Sequence, residues 1–258
     1  MQPAPLSAVA DARAPRARLP LPVLVWLALY TALAVAAALL LERAAAMDAA
    51  FHWRSLAAML GGAALFAWLA AVHWRAPRFG AANLVTLGRA ALTMLLIALL
   101  GAAPSSRVAW VGVGLATLAA VLDGVDGRIA RLRNEATPFG ARFDMETDAL
   151  LMLVLAVLVW RIGHAGPWVL AAGLLRYGFV LAGRAWPALA RPLPPSERRR
   201  RICGVAIALL SIAAAPLPPE AVSALCAIAV GSLIYSFAVD GVWLVRYAPG
   251  LPAGACRS

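Results

Sequence analysis

Within residues 123–148, DGVDGRIARLRNEATPFGARFDMETD, acids and small residues recur at helical spacing: Asp123, Asp126, Gly127, Ala130, Arg131, Gly140, Asp144 and Asp148. Six of the chain's twelve acidic residues fall in this window, Glu135 and Glu146 joining the four aspartates. Carboxylates are costly at membrane depth, and those found there usually serve a function. Helical periodicity puts Asp123, Gly127 and Arg131 on one stripe and Asp126 with Ala130 on the adjacent one. Gly140, Asp144 and Asp148 make a third stripe on the following helix. Four carboxylates then converge from two neighbouring helices. Unpaired, they would repel one another and lose their hydration. Only Arg128, Arg131, Arg133, Arg142 and nearby Arg89 accompany them, and hard divalent cations neutralise such a cluster better. An all-oxygen donor set with no His or Cys in the window favours Mg²⁺, Mn²⁺ or Ca²⁺ over zinc. Gly127, Ala130 and Gly140 leave room for a ligand or for close helix contact, and Arg131 can pair with a phosphate. Interfacial charges that merely balance a basic loop would need neither four aspartates on aligned stripes nor small residues and an arginine between them.

The elements that must position these residues follow from composition. The chain has 258 residues, 63% hydrophobic and 14% charged, with a mean hydropathy of +0.82. A soluble domain is nearer half apolar and about a quarter charged, so the composition predicts an all-α, polytopic membrane helix bundle. Apolar runs predict eight spans, near Leu19–Leu41, Leu56–Val72, Asn83–Ala103, Val108–Gly127, Phe143–Ile162, Pro167–Gly183, Ile202–Pro216 and Ala221–Val245. The first is too long for a signal-peptide core of roughly 7–15 residues, although Ala44-Ala45-Ala46 could mimic a cleavage site. Two runs are short when counted by uncharged residues: fifteen in Val108–Leu122 and twelve in Ala149–Trp160. A membrane-crossing helix needs about 20. The fourth helix must therefore extend through Asp123 and Asp126, and the fifth must reach back through Asp148 and Asp144. The acids thus lie inside helices at the membrane boundary.

All of the positive charge is arginine, since the chain contains no lysine, and the formal net charge is +11. The arginines are scattered between apolar runs, which suits topogenic charges and partners for phosphate or anionic lipid, with no nucleic-acid partner. With eight spans and a cytoplasmic N-terminus, seventeen arginines fall on the inner side and four (Arg43, Arg54, Arg107 and Arg161) on the outer. Arg89 and Arg176 lie within spans. That bias places the acidic window and both termini on the cytoplasmic side. Cys203, Cys226 and Cys256 are odd in number and widely spaced, which argues against a disulfide framework or zinc site. His52, His73 and His164 stand alone near loops and carry no expected chemistry.

The window resembles the signature of the CDP-alcohol phosphotransferases, D-x2-D-G-x2-A-R-x8-G-x3-D-x3-D. Every fixed position is filled, from Asp123 through Asp126, Gly127, Ala130, Arg131, Gly140 and Asp144 to Asp148. Upstream, Asn83-Leu84-Val85-Thr86-Leu87-Gly88-Arg89 is similar to the family's N-L-x-T-x-x-R opening of its first core helix. The resemblance implies a six-helix catalytic core at residues 81–246, preceded by two additional N-terminal transmembrane helices at 19–80. Cytoplasmic tails are expected at 1–18 and 247–258.

It further implies transfer of a substituted phosphoryl group from a CDP-linked donor to an alcohol with release of CMP, by a membrane enzyme that often works as a homodimer. Carried across residue by residue, Asp123, Asp126 and Asp144 would hold two divalent ions, Mg²⁺ or Mn²⁺, on the pyrophosphate. Asp148 would lie near the metals and take the proton of the acceptor hydroxyl. Gly127 and Ala130 would let the cytidine diphosphate approach, with Gly140, Arg131 and Arg89 also in the substrate site. CDP-diacylglycerol is the expected donor. The acceptor is a small polar alcohol, and the basic residues tilt the choice towards glycerol 3-phosphate or an inositol phosphate. Rival readings are a CDP-choline or CDP-ethanolamine enzyme with diacylglycerol as acceptor, a divalent-cation transporter or channel, and a non-catalytic cation-binding protein. Outside the signature, Arg176 could contact an acceptor phosphate or form a structural ion pair. Glu146 could face a neighbouring helix or polar cavity or pair with an arginine, Arg198–Arg201 could bind anions or serve topology, and Asp240 could pair with Arg176 or Arg89.

Overall fold

The computed structural model describes residues 21–73, 79–133, 137–163, 165–191, 193–194 and 196–246. The expected tails, Glu135, His164, Cys256 and the side chains of His73, Ala130 and Arg131 lie outside the described residues. Eight α-helices and no strands occur among them: α1 (Leu21–Ala44), α2 (Phe51–His73), α3 (Ala81–Leu99), α4 (Ser106–Arg133), α5 (Pro138–Ile162), α6 (Ala171–Ala185), α7 (Glu197–Ala213) and α8 (Pro219–Arg246). The expected all-α bundle is what forms, and each predicted run corresponds to one helix.

The boundaries differ because backbone hydrogen bonding does not stop where polar residues begin. The fourth helix runs through Asp123 and Asp126 and on to Arg133, 28 residues in all. The fifth starts at Pro138, five residues before the apolar run, and spans 25 residues through Asp144 and Asp148. Its start is built by local chemistry. The Thr137 side chain accepts a hydrogen bond from the Gly140 amide and Pro138 takes the first turn, where its missing N–H is not needed. It ends at Gly163, whose φ of 84° is a left-handed conformation that favours glycine. The sixth span opens as a 3₁₀ turn at Pro167–Leu170 before α6 begins. The seventh takes the Arg198–Arg201 run into its first turns.

Among the described residues, five helices are long and apolar enough to cross a membrane: α1, the Phe51–Val72 part of α2, α3, the Ser106–Ile129 part of α4, and α8. In α3, 67% of the apolar window is buried, against 17–33% in the other four, so α3 is the enclosed centre of the bundle. It packs extensively on both α4 and α5, which touch each other far less. The main core joins Leu96 and Leu99 of α3 to Leu151, Leu155 and Leu158 of α5 and Leu210 of α7, all fully buried. A second cluster fastens the two N-terminal helices to the core. Phe66 of α2 meets Phe143 edge-on at 5.0 Å and Phe139 at 6.0 Å, and the Tyr30 hydroxyl of α1 donates to the Leu84 carbonyl at 3.1 Å. The α1–α2 turn is polar: Glu42 pairs with His52 at 2.8 Å. Asp48 pairs with Arg54 at 2.6 Å, and that hydrogen bond holds the Asp48 carboxyl below its ordinary value.

Helices in lipid gain little from hydrophobic burial against one another, so close backbone approach carries much of their association. Gly173 of α6 is the closest such point. A methyl group there would lie 2.4 Å from the Leu153 Cα and 2.8 Å from its backbone nitrogen, with no flexible side chain to yield. Gly173→Ala should therefore force α5 and α6 apart at a cost of about 1–3 kcal/mol or more. The check is thermal unfolding in detergent, with Gly178→Ala, whose added methyl meets nothing within 4 Å, remaining at the wild-type midpoint.

A candidate metal and phosphotransfer centre

The face of α3 carrying Asn83, Thr86 and Arg89 organises the carboxylates. All three residues are buried, Arg89 completely. The guanidinium of Arg89 sits among the four aspartates. Its Nη1 lies 2.9 Å from Asp126 Oδ2 and 2.5 Å from Asp144 Oδ1. Its Nη2 lies 2.9 Å from Asp123 Oδ1 and also pairs with Asp148 Oδ1. Thr86 Oγ1 donates to Asp126 Oδ2 at 3.1 Å. Asn83 sits against the start of α5, where a methyl group on Gly140 would come within 2.6 Å of its Oδ1. Gly140 is thus a close-contact glycine between α3 and α5. The two carboxylate-bearing helices are registered by α3 between them rather than by each other.

Four carboxylates face one guanidinium, so acidic groups outnumber the buried positive charge within the cluster. One ligand oxygen from each of Asp123, Asp126 and Asp144 lies within 4.8 Å of the others. The side chains of Asp123 and Asp144 are 40% and 42% exposed, whereas Asp126 is nearly enclosed at 7% and Asp148 at 17%. The cluster is therefore anchored on one side and open on the other. An oxygen-only donor set, a surplus of acidic groups and an accessible side fit a hard divalent cation.

The remaining expected site residues are distributed differently. Gly127 follows Asp126 on α4 and is half-buried. Arg176 is not brought to the aspartates. It pairs with Glu146 at 2.6 Å, and Glu146 also meets Arg142 at 3.3 Å, one helical turn earlier. Asp240 pairs with neither Arg176 nor Arg89. It accepts from Arg198 at 2.5 Å and from Arg199 at 3.3 Å, and Arg198 also donates to the Ser236 carbonyl. Part of the arginine run thus ties α7 to α8. Two neighbours of the cluster were not singled out by spacing. Thr86 occupies a fixed position of the N-L-x-T-x-x-R opening, which was the available signal. Cys203 of α7, whose sulfur lies 3.8 Å from Asp148 Oδ2, had none.

Comparison with known proteins agrees with this geometry. The family model for CDP-alcohol phosphatidyltransferase matches residues 79–239, a stretch that begins just before α3 and includes every aspartate of the cluster. The chain belongs to the CDP-alcohol phosphatidyltransferase family. A 59-residue segment is 42% identical to ethanolaminephosphotransferase 1 of Mus musculus, covering 22% of this chain and 15% of that relative. No solved structure matches the chain.

Proposed function

We propose that the chain transfers a phosphatidyl group from CDP-diacylglycerol to the hydroxyl of a small polar alcohol, with release of CMP. The observation that carries this reading is the convergence of four carboxylates on one open site, three of them within 4.8 Å by their ligand oxygens. In this reading residues 81–246 form the catalytic core, working as a homodimer with the site and both termini towards the cytoplasm. The arginine asymmetry between loops supports that orientation. Asp123, Asp126 and Asp144, with Asp148 beside them, would hold Mg²⁺ or Mn²⁺, two ions in all. Bound there, the ions supply charge neutralisation at the donor's pyrophosphate. The chain's own residues do the rest. Gly127 and Ala130 admit the cytidine diphosphate to the α4 backbone, and Arg131 steadies a phosphate. Arg89 fixes the carboxylates in place. Asp148 accepts the acceptor's hydroxyl proton as its oxygen attacks the lipid-side phosphorus and the bond to CMP breaks. Positioning and charge, more than covalent chemistry, are what phosphoryl transfer asks of a protein. Basic residues favour glycerol 3-phosphate or an inositol phosphate as acceptor.

The segment similar to ethanolaminephosphotransferase 1 favours a second reading, in which a CDP-aminoalcohol is the donor and diacylglycerol the acceptor. Purified protein in detergent with Mg²⁺ or Mn²⁺ should release CMP from CDP-diacylglycerol with only one of glycerol 3-phosphate, inositol phosphate, inositol and serine. Chelation by EDTA should abolish the release and added metal restore it. CMP release from CDP-ethanolamine with diacylglycerol, and none from CDP-diacylglycerol, would replace the first reading with the second. Release that persists in EDTA would sink the metal assignment.

A further inference from the structure

The N-terminal helices enclose, with the core, a cavity of about 410 Å³ that does not include the aspartate cluster. Its volume lies in the range of ligand pockets, about 300–1,000 Å³. Leu27, Ala63 and Phe66 line it from α1 and α2, and Met94, Phe143 and Leu150 from α3 and α5. Its charged lining residues, Arg142 and Glu146, lie one turn apart on α5 and mark a polar end, and Tyr30, Thr31, Thr147 and Tyr177 add hydroxyls to the lining. Arg142 and Glu146 flank Asp144 on α5. The polar end therefore stands at the depth of the carboxylates, on the opposite face of the same helix. Two arginines, Arg142 and Arg176, meet a single glutamate there, so the end carries one surplus positive charge. The Arg176 Nε is buried and has no acceptor among the described residues. Leu65 and Trp68 of α2 and Tyr177 of α6 line the cavity while 52%, 61% and 40% exposed, so it opens on the surface that faces lipid.

We infer that this cavity is a binding site for an anionic phospholipid of the surrounding bilayer, one acyl chain inside and the phosphate at Arg142. An apolar cavity offers water no partners, and the molecule at its mouth in a membrane is an amphiphile. The surplus arginine charge selects the anionic class. Helices α1 and α2 precede the family-matched region, so this site belongs to what the chain adds to the core. It does not depend on which lipid reacts at the aspartates.

The test uses the full chain in nanodiscs of phosphatidylethanolamine doped with phosphatidylglycerol bearing a diazirine in its acyl chain. Adducts are mapped by mass spectrometry after illumination. Labelling should concentrate on cavity residues such as Phe66, Met94 and Leu150. Filling the cavity with Ala63→Trp should cut that labelling roughly tenfold, a loss that two methylene contacts suffice to produce. Gly61→Trp, on the same helix with open space around it, should leave labelling unchanged. Ala90→Leu is a smaller plug from α3 should the tryptophan variant not fold. Arg142→Gln should remove the preference over labelled phosphatidylcholine. Labelling spread evenly over the lipid-facing helices would overturn the inference, as would adducts to a second copy of the chain. Displacement of the label by CDP-diacylglycerol would also overturn it, by making the occupant the reacting lipid.

Discussion

Arg89→Met is expected to leave little folded protein in metal-free detergent, and added Mg²⁺ or Mn²⁺ to recover part of the loss. The guanidinium is completely buried and pairs with Asp123, Asp126, Asp144 and Asp148 at once. Removing one partner of a buried ion pair costs about 3–5 kcal/mol because the other charge stays behind. Here four carboxylates would stay behind, on two helices that have little direct contact with each other. A divalent cation can replace part of the missing positive charge, so the variant's unfolding midpoint should rise with metal more steeply than the wild type's. Arg89→Lys should fall between the two, since a compact ammonium lacks the planar fork that reaches four oxygens from two nitrogens. Thermal unfolding followed by size exclusion, with EDTA and across a metal titration, reads all three proteins. Equal midpoints for Arg89→Met and wild type in EDTA would refute the role given to Arg89 here.

Asp148→Asn should remain folded and lose about 10²–10⁴-fold in kcat, the range for deleting a general base. The amide keeps the size of the side chain and can still meet Arg89 through its oxygen. Asp144→Asn supplies the contrast. Asp144 is the more exposed carboxylate and belongs to the three-oxygen cluster, so its loss should raise the metal concentration needed for half-maximal activity. CMP release measured against Mn²⁺ concentration separates the two. If excess Mn²⁺ restored Asp148→Asn to within about tenfold of wild type, Asp148 would be a ligand and not the base.

The carboxylate geometry was legible because helical spacing is a local property. The short uncharged runs before Asp123 and after Asp148 required helices through the acids, and α4 and α5 extend through them. Spacing says which residues share a face, but not which helix that face meets. Arg89 was legible as a neighbour of the window, yet its place among all four aspartates depends on α3 packing between α4 and α5. The same limit explains Asp240. Its partner had to come from another helix, and α7 delivered Arg198 and Arg199. Glu146 was readable as an acid seeking an arginine, and α6 supplies Arg176. The cavity beside α1 and α2 had no signal in the sequence. It is a gap between elements, and no pattern within one element encodes it.

The sulfur of Cys203 beside Asp148 gives the chain a built-in gauge of its own centre. Cys226, the other cysteine among the described residues, is fully buried in α8, whereas Cys203 is only partly covered. In a Cys256→Ser background, a small organomercurial, which does not need a free thiolate, would therefore report on the neighbourhood of Asp148 through its rate of reaction. Nucleotide or metal bound beside that carboxylate would slow the reaction, and the slowing would give occupancy without any turnover. The same neighbour is a vulnerability. A soft metal such as mercury would silence the protein through a residue that has no part in moving a phosphate.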